Sequence, residues 1–160
     1  MKWRILFLLT MLVPAGSHAA GDAALDRATL RGLKSVGVVI DTLDAELTRQ
    51  GLSAGDLAAR ITDRLQKAGV PTDKSATEFV GLRIMQVHDK KGPYGLCLSI
   101  GTYQPVVLVR DKNMKTATQT WEVETVVVAD AKLVREAALN SVDDLVDRFV
   151  AAWKSVQTTP

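Results

Sequence analysis

Residues 78–128 constrain this chain most. They hold three long runs in which apolar and polar side chains alternate, parted only by short turn sequences at 89–93 and 111–115. Alternation at period two puts every second side chain on one face of a strand. Turns this short join only antiparallel neighbours, so the three runs form a meander. The first run, 78–88, sets Val80, Leu82 and Ile84 on one face and Phe79, Arg83, Met85 and Val87 on the other. The second, 94–110, turns Leu96, Leu98 and Ile100 inward and Cys97 and Ser99 outward, and Pro105 predicts a bulge or bend there because proline cannot donate to a ladder. The third, 116–128, places Thr118, Thr120, Glu122 and Glu124 opposite Gln119, Trp121, Val123 and Val127.

A sheet with an apolar face needs cover, and two amphipathic segments offer it. Ser53 and Asp56 have the spacing of a capping box. Behind them Leu57, Ile61, Leu65 and Ala68 mark one face of a helix, with Arg60, Asp63, Arg64 and Lys67 on the rest. Gly69 and Pro71 end it. A longer helix is predicted over 130–156, where Val134, Ala138, Val142, Leu145, Phe149, Ala152 and Val156 recur every three or four residues. Asn140-Ser141 marks the place where it would kink. A β-branched run at 35–41 supplies a strand before the first helix, and 70–72 a short edge strand after it. The predicted order is β-α-β-β-β-β-α. This is an α+β fold with one mixed, mainly antiparallel sheet and two helices packed on one face.

Ahead of this domain, Lys2 and Arg4 precede a mainly apolar run from Ile5 to Val13, then Pro14, Gly16 and the small-residue exit Ser17-His18-Ala19-Ala20. That is the layout of a secretory signal peptide over 1–20, cut near Ala19 or Ala20. The run is about half the length that spans a bilayer, so no transmembrane segment is expected in the mature chain. Residues 21–33 read as a mobile or loosely docked N-terminal segment, and 34–157 as a single α/β domain. The expected location is outside the cytoplasm, in the periplasm or medium.

Losing the leader removes two of 20 basic residues and leaves 18 against 18 acidic ones. A mature chain near neutrality gives no support for nucleic-acid binding, despite a whole-chain pI of 8.8. Cys97 is the only cysteine, so disulfides do not hold the fold, and no cysteine near the expected cut offers a lipid attachment point. His88 is the one histidine beyond the leader, which leaves the common zinc and copper ligand sets incomplete. No cofactor or metal site is predicted.

Three constellations carry residue types used in chemistry. His88-Asp89 lacks an adjacent nucleophile motif and reads as an exposed strand end. Asp41, Asp44 and Glu46 crowd one loop without the Asp/Asn-Gly pattern of a calcium site and read as a solvated acidic loop. Asp143 and Asp147 are spaced i and i+4 beside Asp144, and repel unless a cation such as Arg83 or Arg110 reaches between them. Gly92, Gly95 and Gly101 lie in or beside hairpin strands and form no phosphate-cradling loop. Trp121 and Phe149 are assigned to the core, and Trp153 to a helix edge or a contact.

From Leu52 onward the chain resembles a family of small exported bacterial proteins of uncharacterised function. The resemblance rests on 51–57, on 64–70, on Tyr103-Gln104-Pro105-Val106-Val107-Leu108-Val109-Arg110, on Thr118-Gln119-Thr120-Trp121 and on 142–149. It implies an exported helix-on-sheet domain and transfers no catalytic residue. At the level of fold, the element order is also similar to the N-terminal α/β domain of the Tol-system propeller protein.

The expected function is therefore non-enzymatic: protein or small-ligand contact in the bacterial envelope. The alternatives are an enzyme using His88 with nearby carboxylates and a structural domain that binds a surface polymer. If both helices cover one sheet face, the other keeps Phe79, Met85, Val87, Cys97 and Tyr103, a candidate surface for an envelope protein or for self-association. An N-terminal segment carrying Leu25, Leu30 and Leu33 is the alternative cover for that face.

Overall fold

The computed structural model describes residues 21–89 and 92–157, and the expected leader lies outside them. In chain order the elements are α1 (Ala24–Ala28), β1 (Gly37–Ile40), α2 (Ala45–Arg49), α3 (Ala54–Lys67), β2 (Phe79–His88), β3 (Tyr94–Leu108) and β4 (Asp111–Ala129). A 3-10 turn at Ala131–Leu133 then leads into α4 (Val134–Gln157). The strands form one sheet in the order β1-β2-β3-β4. β1 runs parallel to β2, while β2, β3 and β4 form the antiparallel meander. The fold is thus the α+β arrangement with a mixed, mainly antiparallel sheet.

Local chemistry sets the helix ends. Ser53 accepts the Asp56 amide at 3.0 Å and caps α3. At the other end Val70 donates to the Leu65 carbonyl and Gly69 to that of Gln66, while Gly69 takes φ +85°. That is a Schellman stop, and its two apolar partners, Leu65 and Val70, are both buried. Leu57, Ile61 and Leu65 of α3 and Val134, Ala138, Val142, Leu145 and Phe149 of α4 join Val80, Leu82, Leu96, Leu98, Ile100, Trp121 and Val123 in one core. Trp121 meets Phe149 edge-on at 5.4 Å.

The cations that pair with the carboxylates of α4 are not where the sequence suggested. Asp143 receives Arg60 at 2.7 Å and Asp147 receives Arg64 at 2.5 Å, and Arg64 also reaches Asp143 at 3.4 Å. The cations come from α3 rather than from Arg83 or Arg110, because α3 packs directly on α4. Arg64 holds the Asp147 carboxyl below the usual carboxylate range. α4 itself is one continuous helix through Asn140 and Ser141.

Four other expectations are corrected. The short strand at 70–72 shrinks to one parallel bridge between Val36 and Thr72, because the chain turns away at Asp73. Pro105 pairs in register with Ala117. The register shift falls earlier, between Thr102 and Tyr103, where β4 carries the extra residue Thr120. From Gln104 onward β3 has no β2 neighbour on its other side, and such an edge tolerates proline. The hairpin closes at Val109 and Arg110, and Asp111 already opposes Leu108; residues 112–114 are left unpaired by a second shift. Asp44 caps a short helix, α2, where a loop was expected, by accepting the Glu46 amide at 2.7 Å.

Segment 21–33 is more firmly seated than its small residues suggest. Leu30 is fully buried and Leu33 packs on the core. The Gly21 carbonyl accepts the Glu122 amide at 3.1 Å, and Asp22 accepts the Trp121 indole at 2.8 Å. Arg27 binds the same Asp22 carboxylate through two nitrogens. Partial burial raises the Asp22 pKa, but the hydrogen bonds from Arg27 and Trp121 outweigh it and leave the group below its ordinary value.

Candidate functional site: the uncovered sheet face

The strand registers lay the outward side chains of β2, β3 and β4 in five rows. From one end these are Phe79–Tyr103–Gln119, Gly81–Gly101–Glu122, Arg83–Ser99–Glu124, Met85–Cys97–Val126 and Val87–Gly95–Val128. All five predicted residues share this face. Met85 is 56% exposed, Val87 75%, Val126 71% and Val128 66%, so the last two rows are an open apolar patch. Cys97, a free thiol at its centre, is half-buried by its neighbours. Gln119 belongs to this face rather than beside Trp121, because the extra residue at Thr120 inverts the alternation beyond it.

Val126 and Val128 were absent from the predicted set, although they stand in phase with Glu122 and Glu124. The signal was period two carried four residues further.

Down the middle of the face, β3 presents only Gly95, Cys97, Ser99 and Gly101. Neighbouring side chains lie across these gaps. A Cβ built on Gly95 would meet Val87 at 3.1 Å, one on Gly101 would meet Gln119 at 2.7 Å, and one on Gly81 would meet the Tyr103 ring at 3.0 Å. The missing Cβ atoms let Val87 and Tyr103 lie close over the sheet, while at Gly101 the neighbour is the flexible end of Gln119; the overlying side chains level the face. Phe79 and Tyr103 stack at 5.0 Å with their planes 9° apart. Beside them is a cleft of about 230 Å³, lined by Val39, Asp41, Arg83, Ser99 and Gly101 among others.

The N-terminal segment leaves the apolar rows open. Leu30 and Leu33 go to the helix side, and Leu25 is exposed. Arg83 is paired with Asp41 at 3.0 Å, whereas Glu124 makes no ion pair among the described residues.

The remaining candidates resolve into local structure. His88 is exposed and stacks face to face on Tyr94 at 3.8 Å. The Tyr94 hydroxyl donates to Glu46 at 2.8 Å. Glu46 also takes Arg49 and Gln50, and these bonds, Arg49 first, lower its pKa to about 2. Asp41 is held below the usual range by Arg83 and the Thr42 amide. Each carboxylate of the acidic stretch thus serves a neighbour: Asp41 a strand, Asp44 a helix cap, Glu46 a tyrosine. Among the described residues no group of three or more His, Cys, Asp or Glu converges as metal ligands, and no helix is long and apolar enough to cross a membrane.

No protein-family model and no curated protein matches the chain. Solved structures do show likeness. A PelC dodecamer from Paraburkholderia phytofirmans aligns at TM-score 0.43 and 10% identity over 71% of this chain and 84% of that one. The hypothetical protein CT253 from Chlamydia trachomatis gives 0.42 and 8%, over 76% and 99%. A minor lipoprotein from Acinetobacter baumannii gives 0.32 and 12%, over 74% and 92%. At scores of this size, function is argued from the geometry of the face itself.

Proposed function

We propose that the protein is an exported, non-enzymatic domain of the bacterial envelope that acts by protein contact through its uncovered sheet face. One observation carries this reading: two adjacent rows, Met85–Cys97–Val126 and Val87–Gly95–Val128, are apolar or small throughout and open to solvent. Contiguous exposed apolar side chains of this kind are candidates for contact sites. Methionine suits such sites because its flexible side chain adapts to a partner. The basic head, apolar run and small-residue exit of residues 1–20 support export. His88 and the acidic stretch, each engaged in local packing, give an enzyme reading nothing to build on.

The test uses Cys97, the only cysteine, as a reporter. The full chain is expressed, and the soluble envelope fraction is labelled with a maleimide beside dilute purified protein. Exported protein beginning at Ala20 or Gly21 is expected, with Cys97 labelling at least several-fold slower in the envelope fraction. Met85→Glu combined with Tyr103→Glu should restore fast labelling while the circular dichroism spectrum stays unchanged. Equal labelling rates in both samples would overturn the contact reading, and an intact Met1 in a membrane fraction would overturn export.

A further inference from the structure

The contact reading leaves the occupant open, and the charges on the face select one. We propose that the uncovered face docks on the same face of a second copy, about a two-fold axis lying along β3, with Cys97 on that axis.

A two-fold along β3 keeps each row at its own level and exchanges β2 with β4. Arg83 of one copy then stands over Glu124 of the other, and Glu124 over Arg83. Ser99 faces Ser99 between them. Met85 meets the second copy's Val126, Val87 meets its Val128, and Cys97 meets Cys97. In these three rows opposite charges are matched twice and apolar side chains meet apolar or small ones; in the other two, Phe79 meets the second copy's Gln119, and Glu122 meets its Gly81, one row from the second copy's Arg83. An isologous interface requires this self-matching.

The other in-plane axis fails the same test. A two-fold running across the strands through the Cys97 row would lay Arg83 over Val87 and Glu124 over Val128 of the second copy. That desolvates two charges against valine, a costly arrangement. Either in-plane axis keeps the strands of the two sheets nearly aligned, the usual geometry of a sandwich, so the charges decide between them. Glu124, unpaired among the described residues, gains a cation, while Arg83 bridges Asp41 and the new carboxylate. The levelled glycine gaps of β3 let the two faces approach closely.

Strand spacing and rise give a footprint of roughly 400 Å² per copy for five rows on three strands. This is about half that of a standard stable interface. The dimer is therefore weak and concentration-dependent.

The proposal is tested with purified exported protein by sedimentation equilibrium from micromolar to millimolar concentration. A reversible monomer–dimer equilibrium is expected. Arg83→Glu alone and Glu124→Arg alone should each weaken it at least tenfold. An equimolar mixture of the two variants should dimerise again, since each copy then supplies the charge that the other needs. A short bismaleimide should link Cys97 to Cys97 in the unsubstituted protein, a readout that requires no variant to fold. A monomer throughout, or a dimer indifferent to both charge reversals, overturns the proposal. The contact reading fails separately: Cys97 protected in the envelope fraction while the pure protein stays monomeric rejects the second copy and keeps the surface. Equal Cys97 labelling in both samples rejects the surface itself.

Discussion

Across β2, β3 and β4 the two faces of the sheet are built by the same strands and differ only in which alternate residues they show. The covered face carries Leu82, Ile84, Leu96, Leu98, Ile100, Trp121 and Val123, all at or below 5% exposure and closed by α3 and α4. The uncovered face carries glycine, serine and cysteine along β3, with charges in mid-sheet and apolar side chains at one end. Stability therefore rests mainly on one face. A face relieved of holding the fold can be shaped for contact.

The contrast predicts unequal losses. Phe149→Ala, which empties the space beside Trp121, should lower unfolding free energy by about 3–5 kcal/mol. Met85→Ala should change it by less than about 0.5 kcal/mol, the usual size for a surface site. Urea melts of both variants measure the difference; similar losses would erase the distinction between the faces.

Ile61→Ala on α3 should cost roughly 2–5 kcal/mol, since that helix closes the same core. Its cap is a smaller contributor. Ser53→Ala should cost about 1 kcal/mol, and a loss equal to that of Ile61→Ala would show that α3 is held by its end rather than by its buried stripe.

The α3–α4 ion pairs stand lower still. Asp147 is largely exposed, so Asp147→Ala should cost less than about 1 kcal/mol, and the loss should shrink in high salt. The smallest expected effect is a change in acid sensitivity. The folded pKa of Glu46, about 2, lies below its ordinary value of 4.5. Its contribution is therefore present above pH 4.5 and disappears as pH falls toward 2, where folded and unfolded chains bind the proton alike. Glu46→Gln should flatten that part of the stability–pH curve by lowering stability at neutral pH while leaving stability near pH 2 nearly unchanged; a curve of unchanged slope would place the acid response elsewhere.

Much of the fold was legible because local rules and burial agree. Ser53, Gly69 and the Leu57–Ile61–Leu65 stripe mark α3 without reference to the rest of the chain. The inward and outward sets of β2 follow from alternation alone. Non-local features were not legible. The extra residue at Thr120 is forced by pairing with β3, so strict alternation misplaced Gln119. The cations for Asp143 and Asp147 come from a helix that is distant in sequence, and residue spacing gives no reach between elements. The first five members of the candidate face were readable from phase. Val126 and Val128 needed the same phase followed to the end of β4.

The seating of residues 21–33 also constrains the order of folding. Gly21 and Asp22 bind Glu122 and Trp121, and the Leu30 carbonyl accepts Gln157 at 2.8 Å. The earliest described residues to be synthesised thus have their partners near the far end of the chain. Closing such long loops comes late and slowly. During synthesis the leading segment has nothing native to bind until nearly the whole polypeptide is available, and the final turn of α4 completes the enclosure.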